Sequence, residues 1–221
     1  VPLAHITGKQ SFMGLEFHCG PEALIPRKET ELLATTAIQK LQEIKKENIN
    51  VIDACTGAGN VAIAIANEID NSYVYAADIS DGAIELARKN AEFHELSSRV
   101  DFFCGDLLKP LNDIGLEGKV DLLSCNPPYI SSAKVSEMPH EICTYEPEAA
   151  FDGGPFGVNI IFRLITEAQD LLDHQGYLVF EVGLGQGATI EKFLSKTGAY
   201  HNIKLIDDET GNPRVLVAQK I

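Results

Sequence analysis

The run Val120-Asp121-Leu122-Leu123-Ser124-Cys125, stopped by Asn126-Pro127-Pro128-Tyr129, constrains this chain more than any other stretch. A short apolar run rich in strand formers reads as an interior strand of a parallel sheet. Two prolines end it, because proline gives no N–H to a ladder and disfavours helix in the residue before it. An amide side chain, a rigid backbone corner and an aromatic ring are therefore presented at the carboxyl end of a central strand. Open α/β sheets bind their ligands there. The corner suits the holding of a planar NH2 group. The Asn126 carboxamide oxygen and the Pro127 carbonyl can accept its two hydrogens, and the Tyr129 ring can cover its flat face.

Patterning supplies the rest of the sheet. Residues Gln10 to Leu24 carry apolar and aromatic residues at strand spacing around Gly14 and Gly20, as in a hairpin. From Lys28 to Lys46, apolar Leu32, Leu33, Ala37, Ile38 and Leu41 recur at helical period. A strand (Asn50–Ala54), a helix (Gly59–Glu68), a strand (Tyr73–Ala77), a helix (Asp81–His94) and a strand (Val100–Cys104) follow. Beyond the strand ending at Cys125 lies an irregular stretch from Asn126 to Pro155. Its part from Ser131 to Glu148, with Pro139 and Pro147 as fixed bends, is expected to form part of a substrate mouth. A helix (Gly157–Leu172), a strand (Tyr177–Val182), a helix (Gln186–Thr197) and two strands (Asn202–Ile206, Arg214–Gln219) complete the chain. Strands alternating with helices predict a doubly wound, mostly parallel sheet. The last two strands lack a helix between them and should pair antiparallel at one edge. The expected organisation is a hairpin segment over 1–27 and one α/β domain over 28–221.

Composition narrows the partners. A net charge of −14 argues against duplex nucleic acid, because phosphate contacts call for a basic face. The densest cationic cluster, Lys40, Lys45 and Lys46, lies among glutamates and reads as a solvated helical face. No apolar run approaches the ~20 residues that a membrane span needs. The five cysteines form no CxxC pair or metal spacing and read as reduced, buried thiols of a cytoplasmic protein. The six histidines show no ligand spacing, so no metal site is expected.

The first strand of the α/β region runs into Asp53-Ala54-Cys55-Thr56-Gly57-Ala58-Gly59 and then a helix. Glycines in such a turn let a ligand approach backbone N–H groups at a helix start, although they also serve plain turns. Asp78, about 20 residues on and at the end of the next strand, is placed to bind ribose hydroxyls. Its alternative is a cap on the helix from Asp81. Together the loop and Asp78 point to a nucleoside-type cofactor. The loop has only G-x-G, followed by Asn60 and Val61, where a dinucleotide site needs a third glycine. With the amide-holding corner, this favours S-adenosylmethionine.

At this point the chain resembles the class I methyltransferases, and among them the HemK-like group of glutamine N5-methyltransferases that modify peptide chain release factors. Ile6-Thr7-Gly8 and Phe12-Met13-Gly14-Leu15-Glu16-Phe17 resemble that group's hairpin signature, and Leu24-Ile25-Pro26-Arg27-Lys28-Glu29-Thr30-Glu31 its I-P-R-x-E-T-E segment. Tyr145-Glu146-Pro147 with Phe151-Asp152-Gly153-Gly154-Pro155-Phe156-Gly157 is similar to its Y-E-P and D-G-G-x-x-G stretch. Glu181-Val182-Gly183 with Gln186-Gly187 is similar to E-x-G-x-x-Q-G. Asn-Pro-Pro-Tyr alone is shared with adenine and cytosine amino-methyltransferases; the other segments separate the groups.

The resemblance implies a Rossmann-like fold with seven strands, mostly parallel, an antiparallel last strand and a short N-terminal hairpin. It implies that Cys55, Thr56, Gly57, Ala58 and Gly59 lie against the methionine part of the cofactor, that Asp78 holds the ribose, and that Asp53 and Ile79 are also cofactor-binding residues. Asp106 and Leu107 would flank the adenine. Asn126, Pro127, Pro128 and Tyr129 would hold the substrate amide, with Asn126, Pro127 and Tyr129 at the reacting nitrogen and Asn126 also beside the cofactor. The implied protein partner is a peptide chain release factor. Three departures stand out. Cys55 replaces the first glycine of the family's loop, which is tolerable at negative φ but would narrow the methionine part of the site. Leu107 replaces an aromatic often found beside the adenine. The chain also begins at Val1 without the family's small upstream helical domain. Two further readings stand beside the leading one: a related N-methyltransferase of a small molecule or another peptide, and a non-catalytic cofactor-binding module.

Overall fold

A computed structural model of the chain describes residues 1–138 and 144–221. Among the described residues, nine strands form two sheets: β1 (Lys9–Phe12), β2 (Leu15–His18), β3 (Ile49–Ala54), β4 (Ser72–Asp78), β5 (Val100–Cys104), β6 (Val120–Cys125), β7 (Leu172–Glu181), β8 (Tyr200–Asp207) and β9 (Pro213–Lys220). The helices of the described residues are α1 (Leu3–Thr7), α2 (Glu31–Glu43), α3 (Asn60–Glu68), α4 (Asp81–Phe93), α5 (Ser132–Val135), α6 (Asn159–Leu171) and α7 (Gly187–Thr197).

The main sheet has the order β5-β4-β3-β6-β7-β9-β8. Its strands run parallel except β9, which is antiparallel to both β7 and β8. The final pair is antiparallel as the sequence implies, but β9 inserts between β7 and β8, so β8 forms the edge. Successive residues of a strand point to opposite faces, and both faces here are covered. Val51 and Leu122 pack with α2, α3 and α4, while Ile52 and Leu123 pack with α6 and α7. This double covering is why β3 and β6 read as continuous apolar runs.

Two elements differ from the sequence reading. The hairpin is shorter than Gln10–Leu24: Met13 (φ 51°) and Gly14 (φ 76°) make its two-residue turn, and β2 ends at His18, before Gly20-Pro21. Two left-handed residues suit the twist of a tight hairpin. Strand β7 begins at Leu172, five residues early, with a register irregularity against β6 across polar Asp173-His174-Gln175-Gly176. Those residues look like a turn in sequence, and Gln175 has φ 65°. The hairpin joins the main core through fully buried Phe12 and Phe17. Buried Asn90 of α4 accepts from His18 N at 2.7 Å and donates to Ala58 O at 2.9 Å, tying hairpin to glycine loop.

The cysteines also depart from expectation. Cys125 is buried, but Cys19 and Cys55 are half-buried, and Cys104 is exposed at the end of edge strand β5. Cys143, His140 and the bend expected at Pro139 lie outside the described residues. Among the described residues, no helix is long and apolar enough to cross a membrane.

Candidate active site

Parallel register brings three strand ends together. Ala54 pairs with Ala77 of β4 and with Cys125 of β6, so Cys55, Asp78 and Asn126 leave the sheet side by side. In the loop after β3, Cys55 (φ 55°), Gly57 (φ 54°) and Gly59 (φ 80°) are all left-handed. Cys55 therefore lacks the negative φ at which a Cβ is tolerated without strain. The chain leaves β3 through a backbone turn that glycine adopts freely and a Cβ disfavours.

Carboxylates anchor this loop. Asp53 is buried and accepts from Thr56 Oγ1 at 2.6 Å and Ser124 Oγ at 2.7 Å. Burial pushes its carboxyl up to about 6, against the pull of those two hydroxyls. Asp78 accepts from Gly57 N at 2.9 Å on one oxygen and from Ser80 N at 3.0 Å on the other. Burial raises its pKa, and the backbone donors oppose that. The helix cap is Ser80, whose Oγ accepts from Ala83 N at 3.2 Å, so Asp78 is not spent on capping. Each Asp78 oxygen keeps a lone pair for another donor.

These groups line a cavity of about 370 Å³. Its wall includes Asp53, Cys55, Thr56, Gly57, Asp78, Ile79, Asp106, Leu107 and Asn126. Ala58 and Gly59 do not reach it. Ala58 packs with Ala23, Ala83 and Leu86, and a Cβ on Gly59 would come within 3.1 Å of the Ala87 methyl. The carboxylate of Asp106 is gripped at 3.0 Å on each oxygen by Arg163, with Lys109 at 2.6 Å. Those cations hold its carboxyl below the usual range. The cavity suits a nucleoside thioether: a charged acceptor with spare lone pairs, a backbone loop, and apolar Ala77, Ile79 and Leu107.

Asn126 also borders a second cavity of about 250 Å³, shared with Pro127, Tyr129, Glu181 and Arg214. Pro128 lines only the first cavity. Asn126 Nδ2 donates to Thr30 Oγ1 at 3.0 Å, and Thr30 Oγ1 donates to Glu181 Oε2 at 2.9 Å. Tyr129 OH donates to Glu181 Oε1 at 2.9 Å, the oxygen that also accepts from Arg214 at 2.9 Å. Burial with the Glu181 charge pushes the Tyr129 phenol up to about 12. The Arg214 guanidinium lies over the Tyr129 ring, 5.6 Å from its centroid. Its buried Nε has no hydrogen-bond partner among the described residues.

The backbone of the corner is clamped from outside. Gln186 Nε2 donates to Tyr129 O at 2.9 Å and to Gly157 O at 3.1 Å. A Cβ at Gly157 would lie 2.3 Å from Tyr129 O, and one at Gly153 2.6 Å from Pro128 O. Glu146, also buried, accepts from Ile25 N at 3.1 Å and pairs with Arg27, fastening the segment before Pro147 to the irregular 24–27 run. Sequence reasoning assigned no role to Thr30, Glu181, Arg214 or Gln186. A carboxylate ending a buried strand was the available signal for Glu181.

A sequence model of the methyltransferase small domain matches residues 30–158. The release factor glutamine methyltransferase of Moorella thermoacetica is 36% identical over 99% of this chain and 75% of its own length. That of Bacillus subtilis is 32% identical over 99% of this chain and 75% of its own. Among solved structures, a methyltransferase from Pyrococcus furiosus superimposes with a TM-score of 0.65 at 20% identity, covering 95% of this chain and 91% of that one. The N-terminal domain of human METTL16 in complex with SAH gives 0.66 at 17% identity, covering 98% and 78%. The structural matches show the fold, and the sequence matches show more: the chain belongs to the release factor glutamine methyltransferase family.

Proposed function

We propose that this chain transfers a methyl group from S-adenosylmethionine to the side-chain N5 nitrogen of the glutamine in the Gly-Gly-Gln loop of a peptide chain release factor, in the cytoplasm. The carrying observation is the position of Asn126 on the wall common to both cavities. Residues 28–221 would act as the methyltransferase domain, with the 1–27 hairpin segment packed on it.

Bound in the larger cavity, S-adenosylmethionine supplies an electrophilic sulfonium methyl. Asp78 would accept the ribose hydroxyls, Ile79, Asp106 and Leu107 would flank the adenine, and the Cys55–Gly57 turn would face the methionine part. An amide nitrogen is a poor nucleophile because its lone pair is delocalised into the carbonyl. Asn126 Oδ1 and the Pro127 carbonyl would each accept one N–H of the substrate amide and favour a pyramidal nitrogen. Tyr129, held by Glu181 and Arg214, would cover the amide face. Alignment and fixed dipoles, rather than a general base, would then supply most of the rate. As the C–N bond forms and the C–S bond breaks, the surplus amide proton passes to water.

The test is incubation with labelled S-adenosylmethionine and a release factor, followed by mass mapping. Label on the Gly-Gly-Gln glutamine is expected from the parent and is abolished in Asn126→Ala. Cofactor binding without transfer to that glutamine would refute the assignment.

A further inference from the structure

We propose that Glu181 and Thr30 form a polarity relay that fixes which way the Asn126 carboxamide faces, making both positioning residues for the amide clamp. The inference deepens the reading above and rests on it for its kinetic consequence.

The argument is a count of hydrogens. A threonine hydroxyl has one hydrogen and a carboxylate has none. Glu181 Oε1 is already served by Tyr129 and Arg214, whereas Oε2 faces Thr30 Oγ1 at 2.9 Å. The Thr30 hydrogen must therefore point at Oε2, which leaves only lone pairs toward Asn126 at 3.0 Å. A lone pair accepts from NH2 and repels C=O. So Nδ2 is drawn to Thr30, and Oδ1 is left without a hydrogen-bond partner among the described residues, the orientation an acceptor for substrate N–H requires. Turning Asn126 over would set Oδ1 against the Thr30 lone pair. Alternatively the hydroxyl would rotate and strip the buried Glu181 Oε2 of its donor, which is unfavourable for a buried charged acceptor.

The relay also joins distant parts of the chain. Thr30 closes the 3-10 turn before α2, Glu181 ends β7 and Asn126 follows β6. Glu181 does not bond Asn126 itself, and this separates a relay from a plain Thr30–Asn126 hydrogen bond.

The test uses the full chain and two readouts. The side-chain NH2 pair of Asn126 is assigned by 15N NMR through its disappearance in Asn126→Ala. Its shifts and hydrogen exchange are then followed in Thr30→Val, Thr30→Ser and Glu181→Gln, with circular dichroism and thermal unfolding reporting that each variant is folded. In Glu181→Gln the new amide can donate to Thr30 Oγ1 and turn its hydrogen toward Asn126. The relay predicts a displaced, faster-exchanging Asn126 pair in Glu181→Gln and in Thr30→Val, and a near-parental pair in Thr30→Ser. Release factor turnover should follow, with kcat down about tenfold or more in Thr30→Val and KM moved by no more than about threefold. Thr30→Ser should recover most of that loss. A parental Asn126 pair in folded Glu181→Gln overturns the relay whatever the turnover shows. A displaced pair in a parent-type background that never methylates release factor upholds the relay and refutes the substrate instead.

Discussion

The backbone N–H of Gly57 donates to Asp78 at 2.9 Å, so the carboxylate that ends β4 also shapes the loop that ends β3. Ser80 N occupies its other oxygen at 3.0 Å. One side chain therefore sets the backbone on both sides of the cavity while keeping lone pairs for a ligand. Recognition and loop geometry fail together when it is changed.

Asp78→Asn is expected to weaken binding of S-adenosylhomocysteine by about 30-fold or more, because hydrogen bonds to a charged acceptor are worth about 1.5–3 kcal/mol each. The pH dependence has a defined sign. Burial raises the Asp78 pKa, so its charge is lost at a higher pH than for an ordinary carboxylate. Affinity of the parent should fall as pH drops through that raised value, and the asparagine variant should lack this component. Calorimetric titration from neutral pH down to the ordinary carboxylate range reads both. Equal affinity of the two proteins across that range would remove Asp78 from the ribose site.

Asp53 makes a stability prediction. Its folded pKa is raised from 3.8 to about 6, so the folded chain binds its proton more tightly than the unfolded chain does. The resulting penalty is present in full above about 6 and fades to nothing below 3.8. This group alone makes stability rise on acidification across that window, by on the order of 3 kcal/mol. Asp53→Asn cannot titrate. Its stability relative to the parent should therefore be highest near neutrality and decline toward pH 4 by that order of magnitude. Urea midpoints measured side by side cancel the other carboxylates, and a pH-independent difference would contradict the burial argument.

The same residues show what a sequence discloses. Strand β6 is read to its ends, and Asp78 and Asn126 are located, because double-sided burial and paired prolines leave strong local signals. Thr30 and Glu181 stand 151 residues apart, and Thr30 and Asn126 stand 96 apart. Nothing local in Lys28-Glu29-Thr30 announces a partner on β7; only sheet order brings them together. Cys55 fails for another reason. A cysteine carries no mark of the sign of its φ, whereas a glycine there would have suggested it. The polar start of β7 was likewise hidden, since Asp173-His174-Gln175-Gly176 has turn composition but is held against β6.

Cys55 at φ 55° allows a ranking of substitutions. Left-handed backbone costs an L-residue about 1–2 kcal/mol, and glycine avoids this but loses more entropy on folding, by up to about 1 kcal/mol. Cys55→Gly should therefore keep stability within about 1 kcal/mol of the parent. A β-branched side chain tolerates this region least, so Cys55→Val should lose about 2 kcal/mol or more. Cofactor affinity should rise in the glycine variant, because Cys55 lines the larger cavity. Thermal unfolding and calorimetry test the order; a valine variant as stable as the glycine one would contradict the left-handed backbone.

Gly157 allows a test of the corner from outside the site. It has φ 70°, and a Cβ there would lie 2.3 Å from the Tyr129 carbonyl oxygen and 2.9 Å from Gln186 Nε2. Neither neighbour can yield freely. The oxygen belongs to backbone that Gln186 holds at 2.9 Å, and Gln186 is itself fixed by accepting from Gly183 N at 2.9 Å. Gly157→Ala must therefore move the Tyr129 peptide, and with it the ring that Glu181 and Arg214 position. A displacement of about 1 Å at a positioned group can cost about 100-fold in rate, so kcat should fall by about that factor. Binding of S-adenosylhomocysteine should change little, since Tyr129 and Gly157 do not line the larger cavity. Stability should drop by about 1–3 kcal/mol from strain and overpacking. Parental kcat in a folded Gly157→Ala protein would mean that the Tyr129 backbone is not part of the amide clamp.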